Sequence, residues 1–198
     1  MIEVRIHGRG GQGAVIASQI LAEAAFLEEM HVQAFPSFGS ERRGAPVTAF
    51  LRLDQSPILV RSEVYRPDGV IVLDQGFVSQ NMVNVFAGLK PGAWILINTT
   101  KAPEEFSGLE AFSVATVDAS GIARSHHLGS ATAPIVNTVI VGAASGFVGI
   151  VNMDSLASAI RHSVPVALDA NVAAALEGAT AVHRIQQLCA KGAADGRA

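Results

Sequence analysis

Cysteine is almost missing from this chain: its 198 residues include one, Cys189. A lone thiol closes no internal disulfide and cannot by itself hold an iron–sulfur cluster or a structural zinc. Charge is also scarce. Only 16% of residues are charged and the formal net charge is -3, so the chain carries no electrostatic footprint for nucleic acid. A membrane span is missing as well. The apolar run from Ala133 to Val151 is broken by Pro134, Asn137 and Ser145, which marks a buried helix. The sequence opens directly on a strand, with no basic segment, long apolar stretch or cleavage site, and the expectation is a cytoplasmic protein.

What is present is a large apolar share, 49%, rich in Val, Ile and Ala. That is the composition of a sheet covered by helices. A chain of this length buries roughly 70% of the surface its unfolded form exposes, enough for one core without disulfides or metals. The expected fold is α/β: three layers, with a mixed, mostly parallel sheet, helices on both faces, an inserted β-hairpin and a helical C-terminal part. Residues 1–190 are expected to form one domain, with 191–198 as a frayed tail.

The chain is organised around its start. An alternating strand, Ile2 to His7, runs into Gly8-Arg9-Gly10-Gly11-Gln12-Gly13, and a helical pattern of Ala14, Ser18, Leu21, Ala22 and Ala25 follows. Gly8, Gly10 and Gly13 fit G-x-G-x-x-G between a strand and a helix, as dinucleotide binding requires. That reading also needs an acid at the end of the second strand to hold a ribose hydroxyl. The strand His31 to Phe35 ends in Pro36-Ser37-Phe38 instead. Arg42 and Arg43 keep a 2′-phosphate, hence NADP, formally open. A P-loop is excluded, because Gln12-Gly13-Ala14 stands where Gly-Lys-Ser/Thr is needed.

The next stretch, Phe35 to Pro46, is a long Pro- and Gly-rich loop with adjacent arginines at 42 and 43. Loops of this length are usually functional or disordered, and its aromatics and sharp ends favour order. Arginine grips carboxylate or phosphate bidentately, so Arg42 or Arg43 suits an anionic ligand or an acid on a partner chain. Pairing with Glu41 is the plainer alternative.

Downstream, Val47–Leu53 and Ile58–Ser62 read as two strands about the turn Asp54-Gln55-Ser56-Pro57. Strands follow at Gly69–Leu73, Trp94–Ile97 and Phe112–Val117, the last of the sheet. Helices are expected over Val78–Leu89, from Pro134, over Met153–His162 and over Asn171–Leu188. Asp74 and Asn98 stand at the carboxyl ends of strands, where such sheets bind ligands, though capping explains both. His126 and His127 are adjacent and therefore point apart on a helix, which does not suit joint metal binding. Asn137 either pins a neighbouring loop from within an apolar segment or faces solvent.

Two motifs now coincide: Gly8-Arg9-Gly10-Gly11-Gln12-Gly13, and Phe38-Gly39-Ser40-Glu41-Arg42-Arg43-Gly44-Ala45-Pro46-Val47. Together they resemble the gamma subunit of the 2-oxoacid:ferredoxin oxidoreductases of pyruvate/ketoisovalerate type. The likeness extends through residues 134–143 and 171–178.

The resemblance implies an accessory subunit of an enzyme that oxidatively decarboxylates a 2-oxoacid to its acyl-CoA and passes electrons to ferredoxin. Thiamine diphosphate would sit between the alpha and beta subunits, iron–sulfur clusters in the beta and delta subunits, and no cofactor on this chain alone. The sequence agrees by having one Cys and no Gly-Asp-Gly segment of the thiamine-diphosphate type. No catalytic residue is then expected here. Gly8, Arg9, Gly10, Gly11, Gln12, Gly13, Phe38, Gly39, Glu41, Arg42, Arg43, Gly44 and Asn137 are the expected partner- or cofactor-contacting residues. The isolated chain is expected to be inactive, with homodimerisation through its partner surface open. Two other readings stand beside this one: a free-standing NADP-dependent oxidoreductase, and a binder of coenzyme A or a nucleotide without an enzyme partner.

Overall fold

Strict alternation along the first strand divides the molecule. In β1 (Ile2–Arg9), Val4 and Ile6 are buried on one face of the sheet, and Glu3, Arg5, His7 and Arg9 stand on the other. The computed structural model describes residues 1–37, 44–79 and 84–184. Around β1 it sets a seven-stranded sheet of β2 (His31–Pro36), β3 (Pro46–Asp54), β4 (Gly69–Val72), β5 (Trp94–Asn98), β6 (Ser113–Val117) and β7 (His183–Arg184), in the order β2-β3-β1-β4-β5-β6-β7. The β1, β4, β5 and β6 strands are parallel neighbours, while β3 and β7 run antiparallel to theirs.

Among the described residues there are six α-helices: α1 (Ala14–Leu27), α2 (Gly76–Ser79), α3 (Ala119–Ser125), α4 (Asn137–Val148), α5 (Met153–Ser163) and α6 (Leu168–Thr180). Five of them share one apolar core with Val4, Ile6, Leu51, Ile71 and Leu96. The opposite face, around Val70, Val72, Ile95 and Ile97, is covered by α2, a 3₁₀ turn at Pro103–Glu105 and connecting segments that supply Phe77, Val85 and Leu109. The α/β class, the mixed sheet and the α1 crossover agree with the sequence.

Five local expectations are corrected. Ile58–Ser62 is not a strand, because β3 already pairs antiparallel with β1 on one edge and with β2 on the other. Of the helix expected over Val78–Leu89, Val78 and Ser79 are helical as the end of α2, residues 85–88 form a turn instead, and residues 80–83 lie outside the described residues. Arg5 causes this in part, since its guanidinium donates to the carbonyls of Val85 (2.9 Å) and Ala87 (2.6 Å), which a helix would need for its own ladder. Phe112–Val117 is not the last strand, because β7 covers the outer edge of β6. For the same reason α6 stops at Thr180 rather than Leu188. Pro134 lies before α4, bridged to Gly129, and Asn137 begins the helix.

No helix among the described residues is long and apolar enough to cross a membrane. The loop residues Phe38, Gly39, Glu41, Arg42 and Arg43, the tail 191–198 and Cys189 lie outside the described residues.

Candidate functional site: the glycine turn

The glycine turn stands at the carboxyl end of β1, beside the carboxyl end of β4. The chain leaves β1 toward β2 on one side of the sheet and returns to β4 on the other, so this is the switch point where open α/β sheets form their crevice. Gly11 and Gly13 hold φ of 96° and 82°, a left-handed backbone that glycine adopts without cost. Gly13 also lacks room, since a Cβ there would lie 3.0 Å from Asn137 Nδ2. The turn and Asn137 are thereby brought into contact.

The turn is filled by its own chain. Gly10 N–H donates to the Ala45 carbonyl (2.9 Å) and Gly44 N–H to the Gly10 carbonyl (3.1 Å), continuing the β1–β3 ladder past Pro46. Gln12 folds back so that its Oε1 accepts from the Arg9 N–H at 2.7 Å. Its Nε2 donates to Asp74 Oδ2 at 3.3 Å, and Arg9 Nε meets the same oxygen at 2.6 Å. Asp74 Oδ1 accepts the Gly76 N–H at 2.8 Å, and the Arg9 guanidinium lies 5.0 Å from the Phe77 ring centre. Partial burial works to raise the Asp74 pKa. The hydrogen bonds from Arg9 and Gly76 outweigh it, so the carboxyl is held below its ordinary range.

This geometry bears on the dinucleotide motif. In that fold the strand beside β1 is parallel and carries the ribose acid; here antiparallel β3 occupies the place and lays Gly44 and Ala45 along the turn. The glycines thus serve a tight clasp between β1, β3 and β4. Asp74, read from the sequence as a cap, both closes an Asx-type turn on Gly76 and anchors Arg9. Nothing local signals that pairing, because the partners are 65 residues apart. Asn98 likewise ties strand ends together, donating to the Leu73 carbonyl (2.9 Å) and Ser120 Oγ (3.0 Å).

The crevice continues past Asp74 into a hollow of about 380 Å³ lined by Gln75, Ser79, Lys101, Glu105 and Phe106. Among the described residues no group of three His, Cys, Asp or Glu side chains could hold a metal ion. His126 pairs with Glu177 at 2.7 Å and His127 turns away with a positive φ of 57°. A buried histidine was missed by sequence reasoning. His7 faces Thr48 Oγ1 at 3.2 Å through Nδ1 and leaves Nε2 unpaired. Burial, then the charge of Arg5, push its pKa down to about 3, so the ring is neutral. Its place among Glu3, Arg5 and Arg9, alternating with Val4 and Ile6, was the available signal.

The sequence model for pyruvate ferredoxin/flavodoxin oxidoreductase matches residues 3–181. Pyruvate synthase subunit PorC of Methanothermobacter thermautotrophicus is 50% identical over 165 residues, covering 83% of this chain and 86% of that protein. The pyruvate/ketoisovalerate oxidoreductases common subunit gamma of Thermococcus kodakarensis is 48% identical over 184 residues, covering 90% and 95%. In three dimensions, the crystal structure of pyruvate oxidoreductase subunit PORC from Thermotoga maritima superposes with a TM-score of 0.77 at 34% identity, covering 92% of this chain and 97% of that one. The chain therefore belongs to the pyruvate ferredoxin/flavodoxin oxidoreductase family, among the gamma subunits of the pyruvate/ketoisovalerate type.

Proposed function

We propose that this chain is an accessory subunit that joins alpha, beta and delta subunits in the cytoplasm to oxidatively decarboxylate a 2-oxoacid to its acyl-CoA, with ferredoxin as electron acceptor. Residues 1–190 act in it as one α/β unit. The observation that carries the reading is the self-filled glycine turn. A turn whose N–H groups and neighbouring cation are engaged by Ala45, Gln12 and Asp74 is built as a rigid surface rather than a nucleotide cradle. Neither an iron–sulfur cluster nor thiamine diphosphate fits this chain, given one Cys and no Gly-Asp-Gly segment, so both are assigned to the partners.

Coenzyme A has a better fit here. Its phosphates suit Arg42 and Arg43, which directly precede Gly44 of the clasp in sequence, and the chain's part is to bind and orient. The clasp and the arginine loop then line the coenzyme A side of a site whose reacting groups belong to other chains. A subunit common to pyruvate and ketoisovalerate enzymes, as the Thermococcus protein's name states, does not choose the substrate. The same holds for this chain under the reading.

The test is recovery of the tagged chain from its native, oxygen-free extract, with the eluate assayed for coenzyme-A-dependent dye reduction across a panel of 2-oxoacids. Activity together with larger chains carrying iron and thiamine diphosphate is the expected result. A chain that emerges alone and inactive, where such complexes survive, overturns the reading. In the assembled enzyme, an Arg42→Ala, Arg43→Ala double variant should weaken assembly or raise the KM for coenzyme A. Unchanged values of both remove the arginines from the proposal.

A further inference from the structure

Residues 58–62 have the composition of a strand and no strand to join within the chain. From Pro57 to Arg61 the backbone runs without turn or bend, and none of these residues has a positive φ, so the stretch lies extended. Both ends are tethered. On one side Asp54 Oδ1 accepts the Ser56 N–H at 3.2 Å. On the other, the Glu63 carbonyl accepts from Arg52 Nη2 at 3.1 Å and Glu63 Oε1 accepts from the Ser37 hydroxyl at 3.0 Å.

Between the tethers the backbone is bare. None of the N–H and C=O groups of residues 57–62 has a hydrogen-bond partner among the described residues. The side chains are bare as well, with Leu59 86% and Val60 44% exposed. An extended, unpaired backbone that carries exposed aliphatic side chains is a template for another strand. Natural edges are blunted by charge or proline along them, but here Pro57 and Arg61 stand at the ends and leave Ile58-Leu59-Val60 unprotected between them.

The order of the residues identifies the occupant. Antiparallel pairing about a two-fold axis at Leu59 sets Leu59 against Leu59 and Ile58 against Val60, so every central contact is aliphatic. Pro57 then falls opposite Arg61, at a place in the ladder that exchanges no hydrogen bond when Leu59 is a non-hydrogen-bonded pair. The N–H that proline lacks is not needed there, while Ile58 and Val60 exchange both of their bonds across the axis. Charge agrees with this register. The Arg61 side chains of the two copies lie on opposite sides of the axis, whereas an axis at Arg61 would oppose like charges and one at Val60 would set Leu59 against Arg61. The stretch is self-complementary, as an isologous contact requires.

We propose that residues 57–61 are the docking strand of a homodimer, pairing antiparallel with the same residues of a second copy of this chain. The contact goes beyond the subunit reading: in an assembly of that kind it joins two complexes through their gamma chains. It is short, well under the ~1,200 Å² of a standard interface, so the isolated chain dimerises weakly.

The test uses the full chain carrying Cys189→Ser. On mild oxidation, Leu59→Cys should form an intermolecular disulfide at least tenfold faster than Ile58→Cys, Val60→Cys or Leu176→Cys, the last on an exposed aliphatic of α6, because only residue 59 faces its own copy. A rate at position 59 that does not exceed the others overturns the inference. In sedimentation equilibrium the mass of the unaltered chain should climb from monomer towards dimer below roughly 1 mM. Leu59→Asp should raise the dissociation constant at least tenfold with an unchanged circular dichroism spectrum. A chain that stays monomeric over that range, or a Leu59→Asp variant that dimerises as well as the unaltered chain, overturns the inference. In the complex co-expressed from all its subunits, a benzoylphenylalanine photo-cross-linker at position 59 should capture a second copy of this chain. Capture of a different subunit overturns the inference and leaves the subunit reading intact. A chain that enters no complex overturns the subunit reading alone, since the disulfide and sedimentation results do not depend on it.

Discussion

The two faces of the sheet are held by different physics. On the helical face, Val4, Ile6, Leu51, Ile71 and Leu96 meet α1 and α4 in a core of Ala, Val, Ile and Leu, and backbones come very close. A Cβ on Gly142 of α4 would lie 2.0 Å from the Ala175 carbonyl of α6. On the other face, β1 presents Glu3, Arg5, His7 and Arg9, and Arg52 of β3 is buried among Glu3 Oε1 (2.9 Å), Gln33 Oε1 (3.1 Å) and the Glu63 carbonyl (3.1 Å). Apolar close packing depends on shape and hardly on pH, whereas a buried polar row depends on every member keeping its partner. One strand therefore serves two kinds of core at once.

The difference can be broken from either side. The largest effect is expected from Gly142→Val, which forces α4 and α6 apart and should cost at least ~3 kcal/mol, read as a fall in the urea midpoint of circular dichroism. A loss under 1 kcal/mol would show the helical face to be plastic. Arg52→Ala should cost about 3 kcal/mol, because it strands Glu3 and Gln33 on the polar face. Its loss should shrink in an Arg52→Ala, Glu3→Gln double variant, and purely additive losses would mean the two do not act as a pair.

Acid should act on the polar face alone. The folded chain keeps His7 neutral down to about pH 3, whereas the unfolded chain protonates it near its ordinary value of about 6.5. The unfolded state thus binds the extra proton between those values. Its contribution is complete above about pH 6.5 and declines on acidification with a slope approaching 1.4 kcal/mol per unit. Urea titrations at pH 7.5, 6.0 and 5.0 measure this, and His7→Leu should flatten the slope. An unchanged slope removes His7 from the account. The smallest effect is expected at the rim of the turn, where Asp74→Asn should cost about 1 kcal/mol because the Arg9–Asp74 pair is roughly a quarter exposed. Since the folded carboxyl titrates low, that contribution is present at neutral pH and lost only as pH falls below the ordinary carboxylate range.

Much of the helical face was legible from residue order, because its signals are local. Alternation in β1, the glycines before α1 and the apolar stripe of α4 each specify an element within a few turns of chain. The errors fall where a distant group overrides local preference. Ile58–Ser62 has a strand's composition, but both edges of β3, its expected partner, are taken by distant strands. The segment after Val78 has helical periodicity, but Arg5, 80 residues away, takes the Val85 carbonyl, and Gly88 with φ of 72° turns the chain beneath Tyr65. At the candidate site the glycines and Asn137 were readable, and their mutual contact was not. The Arg9–Gln12–Asp74 clasp was invisible for the same reason, since half of it lies in another loop.

The placement of β3 between β2 and β1 also governs time. The first strand of the chain cannot complete its pairing until segments 35 and 65 residues downstream have arrived, the separations that link Arg9 to Gly44 and to Asp74. Such non-local closure slows folding, so the glycine turn is among the last features to set. Until then β1 and β3 offer bare, aliphatic-rich edges to any neighbouring chain. Crowded synthesis without partners is a circumstance in which such edges are exposed to aggregation.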